Sequence, residues 1–322
     1  MSDMHGWRSW HLHVGTAEPA HTEGVVTDVL GPLSTRFGLS EQDGPPWFFL
    51  RYWQRGPHVR VRIHGLADIE ADAVEAELAG RLRELDASVP ESQRLNQDAY
   101  AHTVRALASA GEGGGPLDAG DLLPPGVHRA EYEPEYERYG GEGLTALSED
   151  LFHHSSRVAL RVCQARTGRR HALYSGMEAA AAVCSLLTDP AEFLVAQRDF
   201  WLTWARAEQL TAEQSGAARR ALATTVGKLR SSLGELELQL LSILRHGDPR
   251  WAEWTRPLGA ALLTWTDQFG PGRASSILGS HIHMTSNRLG VGAGREAYIA
   301  QLLLSLLDSE NDEHGESEDK SE

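Results

Sequence analysis

His58-Val59-Arg60-Val61-Arg62-Ile63-His64 alternates basic side chains with β-branched ones. In a strand, successive side chains point to opposite faces, so Val59, Val61 and Ile63 pack inward together. His58, Arg60, Arg62 and His64 then line the other face, about 7 Å apart. Such a face can be a solvated outer surface, or it can be a site for a carboxylate. Arg offers a planar fork that grips a carboxylate through two parallel hydrogen bonds, and it stays charged when partly buried. Arg51, on the preceding segment, and His58 are further candidate contacts.

Outward from this strand, the pattern gives the fold class. Phe48–Trp53 reads as a second strand, with Arg55-Gly56-Pro57 as the turn between them. Trp10–Val14 alternates as a third strand. Helices are expected over Val25–Phe37, from Val25, Val29 and Leu33, and over 66–88, from Ile69, Val74, Leu78, Leu82 and Leu85. Residues 110–128 are rich in Gly and Pro and read as a loop. From 144 to 307 the chain reads as helix: Ser148–Gln164, Ser175–Leu187, Phe193–Glu208, Glu213–Arg245, Trp251–Phe269 and Glu296–Leu307. Trp201 and Trp204 are expected in the core. Strands first and helices after predict an α+β fold, a mostly antiparallel N-terminal sheet with a helix-rich C-terminal half packed on it. One domain is expected over 1–307, β-rich over 1–140 and helical over 144–307. A disordered acidic tail is expected over 308–322.

The chain has 322 residues, two cysteines and a net charge of −15. The last fifteen residues hold eight acids against Lys320. An acidic body disfavours direct binding of nucleic acid or anionic lipid. No apolar run approaches the ~20 residues that span a bilayer, and no signal peptide is seen, so a cytoplasmic protein is expected. Cys163 and Cys184 lie among Ala, Val and Leu and are expected to be buried reduced thiols.

Two further segments carry chemistry. Tyr132-Glu133-Pro134-Glu135-Tyr136-Glu137-Arg138-Tyr139-Gly140-Gly141 packs three Tyr and one Arg ahead of a helix. That helix N-terminus favours an anion; alternatively, Arg138 pairs with a local Glu. Ser280–Gly290 reads as a segment between helices, with His281 and His283 sharing a face if extended. His-x-His spacing, here and at His11 and His13, can ligate zinc, yet no third ligand stands out, so no metal is expected. A histidine suits proton transfer better. Asn287 and Arg288 can orient a peptide carbonyl or an anion.

Five segments together resemble the family of lanthipeptide dehydratase C-terminal domains and thiopeptide-type bacteriocin biosynthesis proteins. They are Trp7-Arg8-Ser9-Trp10-His11, Phe48–Tyr52 with His58–Arg62, Tyr132–Glu135 with Arg138–Gly141, Ser148–Phe152, and His283-Met284 with Asn287–Gly290. The resemblance implies a lyase that removes glutamate from glutamylated Ser or Thr of a ribosomal precursor peptide, leaving dehydroalanine or dehydrobutyrine. It implies Arg60, Arg62, Arg138 and His283 as the catalytic set. Arg51, His58, Tyr139, Asn287 and Arg288 are expected to contact substrate. No cofactor is implied. A separate glutamylation-domain protein, using glutamyl-tRNA, would act first, so a stand-alone split form is expected. His154-Ser155 stands where the family often has Asp-Ser. Some stand-alone relatives instead join two dehydroalanines in a formal [4+2] cycloaddition and tend to lose the arginines, whose retention favours elimination. A non-catalytic peptide-binding scaffold is the third reading. The sequence does not fix oligomeric state, a homodimer included.

Overall fold

A computed structural model describes residues 6–41, 43–102, 120–165, 169–204 and 211–318. The chain forms two compact units, Met1–Ala172 with Asn287–Gly290, and Leu173–Ser286 with Val291–Glu322.

The first unit is built on a four-stranded antiparallel sheet in the order β2-β3-β1-β4. Its strands are β1 (Trp7–His13), β2 (Trp47–Tyr52), β3 (His58–His64) and β4 (Gly126–Ala130). The β2–β3 turn is the one expected. Arg55 and Gly56 adopt positive φ of 61° and 109°, conformations a tight turn needs. Val59, Val61 and Ile63 are fully buried beside Trp10, Leu12 and Phe49. That face is covered by helices, including α3 (Asp68–Ala87), whose Glu75 accepts from Trp10 Nε1 at 2.9 Å.

Three differences from expectation have physical causes. β4 begins inside the stretch read as loop, because it is five residues long, follows directly on Pro124-Pro125 and pairs with β1 alone. Gly111, Gly113–Gly115 and Pro116, the core of that expected loop, lie outside the described residues. The helix 25–37 begins earlier, as α1 (Pro19–Gly24), a π-helical segment Val25–Leu30 and α2 (Gly31–Arg36). Helix α4 (Glu142–Ala165) belongs to the sheet's unit rather than to a separate helical half. It lies along β2, where the edge amides of Trp47 and Phe49 meet His153 Nδ1 and Ser156 Oγ at 3.1 and 3.2 Å. The third edge amide, Arg51 N–H, donates to Asn287 Oδ1 at 2.8 Å, and Asn287 Nδ2 donates back to the Arg51 carbonyl at 2.9 Å. Side chains thus occupy an edge that would otherwise invite another strand.

The second unit is helical. The expected helix 213–245 is two, α7 (Ala212–Arg230) and α8 (Glu235–His246), broken at Gly234 with φ 56°. The helices α5 (Arg169–Cys184) and α6 (Pro190–Trp204) overlap the expected ones but start earlier, and α9 (Ala252–Phe269) matches its expected position. Positions 205–208 of the expected Phe193–Glu208 helix lie outside the described residues. Trp254, Leu258 and Trp265 of α9 are fully buried.

The segment 280–290 is not extended. It closes α10 (Pro271–Leu289), whose Gly, Ser and Thr content hides a helix fixed by burial of Ala274, Ile277 and Leu278. Two residues apart on a helix means about 200° around the axis. His281 therefore stacks on Trp265 while His283 packs at a tilt against Trp201, and the pair cannot share a metal. Helix α11 (Glu296–Glu318) runs past Leu307 into the stretch expected to be disordered. Its buried Leu302, Leu303 and Leu306 supply the nucleus, after which further turns cost little. Cys163 and Cys184 are free and buried, as expected. No described helix is long and apolar enough to cross a membrane.

Candidate functional site

The face of the sheet opposite Val59, Val61 and Ile63 is not a solvated surface, since His58 and Arg62 are 1% and 8% exposed. Register places His11, His13 and Ser9 of β1 across from Arg60, His58 and Arg62. The same register sets His128 of β4 across from His11. One end of the face is rich in arginine and aromatic rings, the other in histidine.

At the arginine end, the Arg62 guanidinium lies 4.4 Å from the Tyr132 ring centre and 5.2 Å from that of Phe48. Phe48 packs on Phe152, and Phe152 on Tyr139. Arg288, from the segment 287–290 of this unit, places its guanidinium 5.2 Å from the Phe152 ring centre. Arg288 is completely buried, and its Nε, Nη1 and Nη2 have no hydrogen-bond partner among the described residues; Arg62 Nε is likewise unpaired. Burial lowers the Arg62 pKa to about 10 and the Arg288 pKa to about 9, both still charged at neutral pH. Arg288 is a desolvated cation with no side-chain hydrogen bond among the described residues, and Arg62, although Glu135 and Glu149 favour its charge, keeps an unpaired Nε, so an entering anion relieves both.

Glu149, on α4, lies near Arg62 and Tyr132. It accepts from Trp7 Nε1 at 3.3 Å, and it adds to the burial that holds the Tyr132 hydroxyl well above its ordinary pKa. Arg138 pairs with Glu135 at 3.1 Å, the local pairing weighed from the sequence. It remains next to Tyr139, its guanidinium 5.8 Å from that ring centre. Arg60 lies 3.6 Å over the Tyr52 ring and donates from Nε to His58 Nε2 at 3.2 Å.

Two expected contacts serve the scaffold instead. Both groups of the Asn287 amide are used on the β2 edge. Arg51 donates from Nε to the Arg288 carbonyl at 3.1 Å, and burial lowers its pKa. Together they set the backbone that delivers Arg288.

In the second unit, His283 Nδ1 meets Glu296 Oε1 at 2.6 Å, and both residues are buried. A carboxylate on Nδ1 favours the proton on that nitrogen and fixes the orientation of the ring. Glu296 opens α11, thirteen residues away in sequence, and nothing in the local pattern marks it. Tyr132 and Glu149 were visible within motifs without an assigned role.

A family model described as "Lantibiotic biosynthesis dehydratase C-term" matches residues 7–307. No curated protein sequence matches the chain. Among solved structures, the pyridine synthase TbtD from thiomuracin biosynthesis is similar, with a TM-score of 0.67 and 15% identity over 93% of this chain and 97% of that one. TsrL gives 0.61 and 16%, over 95% of each chain. The tRNA-dependent lantibiotic dehydratase MibB from Microbispora sp. 107891 gives 0.52 and 22%, over 96% of this chain and 28% of that one. These likenesses establish a shared fold.

Proposed function

Because the chain belongs to the lantibiotic biosynthesis dehydratase C-terminal family, we propose that it eliminates glutamate from glutamylated Ser or Thr of a ribosomal precursor peptide. A partner protein that uses glutamyl-tRNA supplies the ester. Transfer from tRNA joins glutamate through its α-carboxyl group, so its side-chain carboxylate remains free. The observation that carries this reading is the pair of buried, charged and incompletely bonded guanidiniums, Arg62 and Arg288, walled by Tyr132, Phe48, Phe152 and Tyr139. They receive a carboxylate.

Elimination takes the proton from Cα and breaks the Cβ–O bond. Glutamate departs with both ester oxygens, and the electron pair forms the Cα=Cβ double bond. In this reading Arg62 and Arg288 hold the free carboxylate, and Arg60 and Arg138 neutralise the departing one. His283, oriented by Glu296, moves the proton. Fixed donors aimed at developing charge are each worth about 3–4 kcal/mol. The retention of Arg60, Arg62 and Arg138 supports elimination over pyridine formation. The reading is tested with the purified chain and a glutamylated precursor, followed by mass spectrometry. Loss of glutamate leaving a dehydrated peptide supports it. An untouched ester, or a macrocycle with freed leader formed from dehydrated peptide, overturns it.

A further inference from the structure

The histidine end of the sheet face lies outside this chemistry. His11 and His13 extend from one face of β1, and His58, directly opposite His13 on β3, joins them. One ring nitrogen from each lies within 4.8 Å of the other two. The sequence supplied the His11-x-His13 pair but no third ligand; strand pairing supplies it, from a residue 45 positions beyond His13.

Packing explains part of this arrangement. The His13 ring stacks on His58 at 4.2 Å between centres, and His11 stacks on His58 at 4.9 Å. Stacking leaves His13 unexplained, however. It is 1% exposed, and both of its ring nitrogens lack a hydrogen-bond partner among the described residues. A buried polar atom without a partner is destabilising, and native interiors rarely hold two on one ring. A ligand for those nitrogens answers the deficit.

We propose that His11, His13 and His58 form a binding site for a divalent transition-metal ion of the zinc class. Three imidazoles match the nitrogen donors that Zn²⁺ takes at about 2.0–2.1 Å. In tetrahedral coordination such nitrogens sit about 3.4 Å apart, so the rings close on the ion through small side-chain rotations. His58 is already oriented. Its Nδ1–H donates to the Gly56 carbonyl at 2.8 Å, which points the lone pair of Nε2 at the cluster. A carbonyl fixing the tautomer of a ligating histidine is the usual outer-shell arrangement. The soft-to-borderline, all-nitrogen donor set selects against Ca²⁺ and Mg²⁺, which require oxygen.

Nearby cations oppose the ion: Arg60 and Arg62 act on His11, and Arg60 and Arg55 on His13. Arg60 Nε now donates to that same His58 Nε2 at 3.2 Å. Metal and guanidinium therefore compete for one lone pair, and Arg60, half-buried on a flexible stem, is the group that moves. Removing its side chain strengthens the metal site, whereas a purely structural histidine stack gains nothing from that change.

The full-length chain, stripped of metal by chelator and dialysed, is titrated with Zn²⁺ by calorimetry and with Co²⁺ by visible absorption. One equivalent of Zn²⁺ is expected, with a raised melting temperature and Co²⁺ bands of a low-coordinate nitrogen site. His13→Asn and the half-buried His11→Gln each weaken Zn²⁺ by about 100-fold or more, from loss of a direct ligand. Arg60→Ala tightens it. His246→Gln, at the exposed end of α8, leaves it unchanged. His11→Gln keeps the test decisive if His13→Asn fails to fold. Absence of stoichiometric binding by the folded wild-type chain overturns the proposal, as does affinity unchanged in His11→Gln, which marks an adventitious ion only.

Discussion

At one end of the sheet face, burial turns imidazoles into lone-pair donors. His11, His13 and His58 are held at about 3, 4 and 2, chiefly by desolvation, and are neutral at pH 7. At the other end, Arg62 and Arg288 are buried too, more deeply than His11, but remain cations, at about 10 and 9. The same desolvation, on the same side of the same sheet, makes one end a place for a cation and the other a place for an anion. The difference lies in the reference pKa: about 6.5 leaves imidazole no margin, and about 12.5 or more leaves guanidinium several units. One strand, β3, supplies members of both ends from the alternate positions His58, Arg60 and Arg62.

The sharpest way to break this comparison is to remove a cation from the arginine end. Arg62→Ala and Arg288→Ala are each expected to slow glutamate release by about 100- to 1,000-fold, with glutamylated peptide accumulating in a mass-spectrometric time course. Arg288→Met, which fills the space without charge, is expected to raise the melting temperature while still slowing release, because an uncompensated buried cation destabilises the fold. A loss of stability with activity retained contradicts the anion role. Next in size is Glu296→Gln, expected to lower kcat by about 10- to 100-fold through a misoriented His283. The pH profile of kcat should shift with it, a change that simple loosening of the fold does not produce.

The alternation in 58–64 and the turn at Arg55-Gly56 made the β2–β3 hairpin legible, because period-two burial and turn chemistry are local. β4 was not legible. Its five residues gain their strand character only by pairing with β1, a partner more than a hundred residues away. The alternation of 58–64 marked Arg60 and Arg62 as carboxylate candidates, and the family resemblance joined Arg138 to them. The depth of Arg288 and the three-histidine cluster were not, since both arise when distant segments meet: Asn287 binds the β2 edge, and β3 lies against β1. The helical state of 271–289 was hidden because weak helix formers there are overruled by burial.

Smaller effects sharpen the comparison further. Asn287→Ala leaves the Arg51 N–H and carbonyl without their edge partners. A loss of about 2 kcal/mol is expected in chemical denaturation, together with a weaker arginine end. Asn287→Asp, which keeps only the acceptor, should fall between alanine and wild type. The smallest effect concerns His153, an imidazole outside both ends, held below its ordinary value chiefly by burial. The folded state disfavours its charged form, so stability is complete above about pH 6.5 and falls as acid protonates the unfolded chain first. Between pH 7 and 5, His153→Gln should therefore lose melting temperature less steeply than wild type.

Carboxylate recognition by the arginine end can be probed directly from the substrate side. Two synthetic precursor peptides carry an acyl ester on the same serine, one of glutamate and one of glutamine, which differ only in the free side-chain carboxylate. Release of the free amino acid is measured for both with wild-type chain and with Arg62→Ala. Wild type should process the glutamyl ester at least about 100-fold faster, with the preference collapsing in Arg62→Ala. Equal rates for the two esters in wild type would contradict a carboxylate site at Arg62 and Arg288.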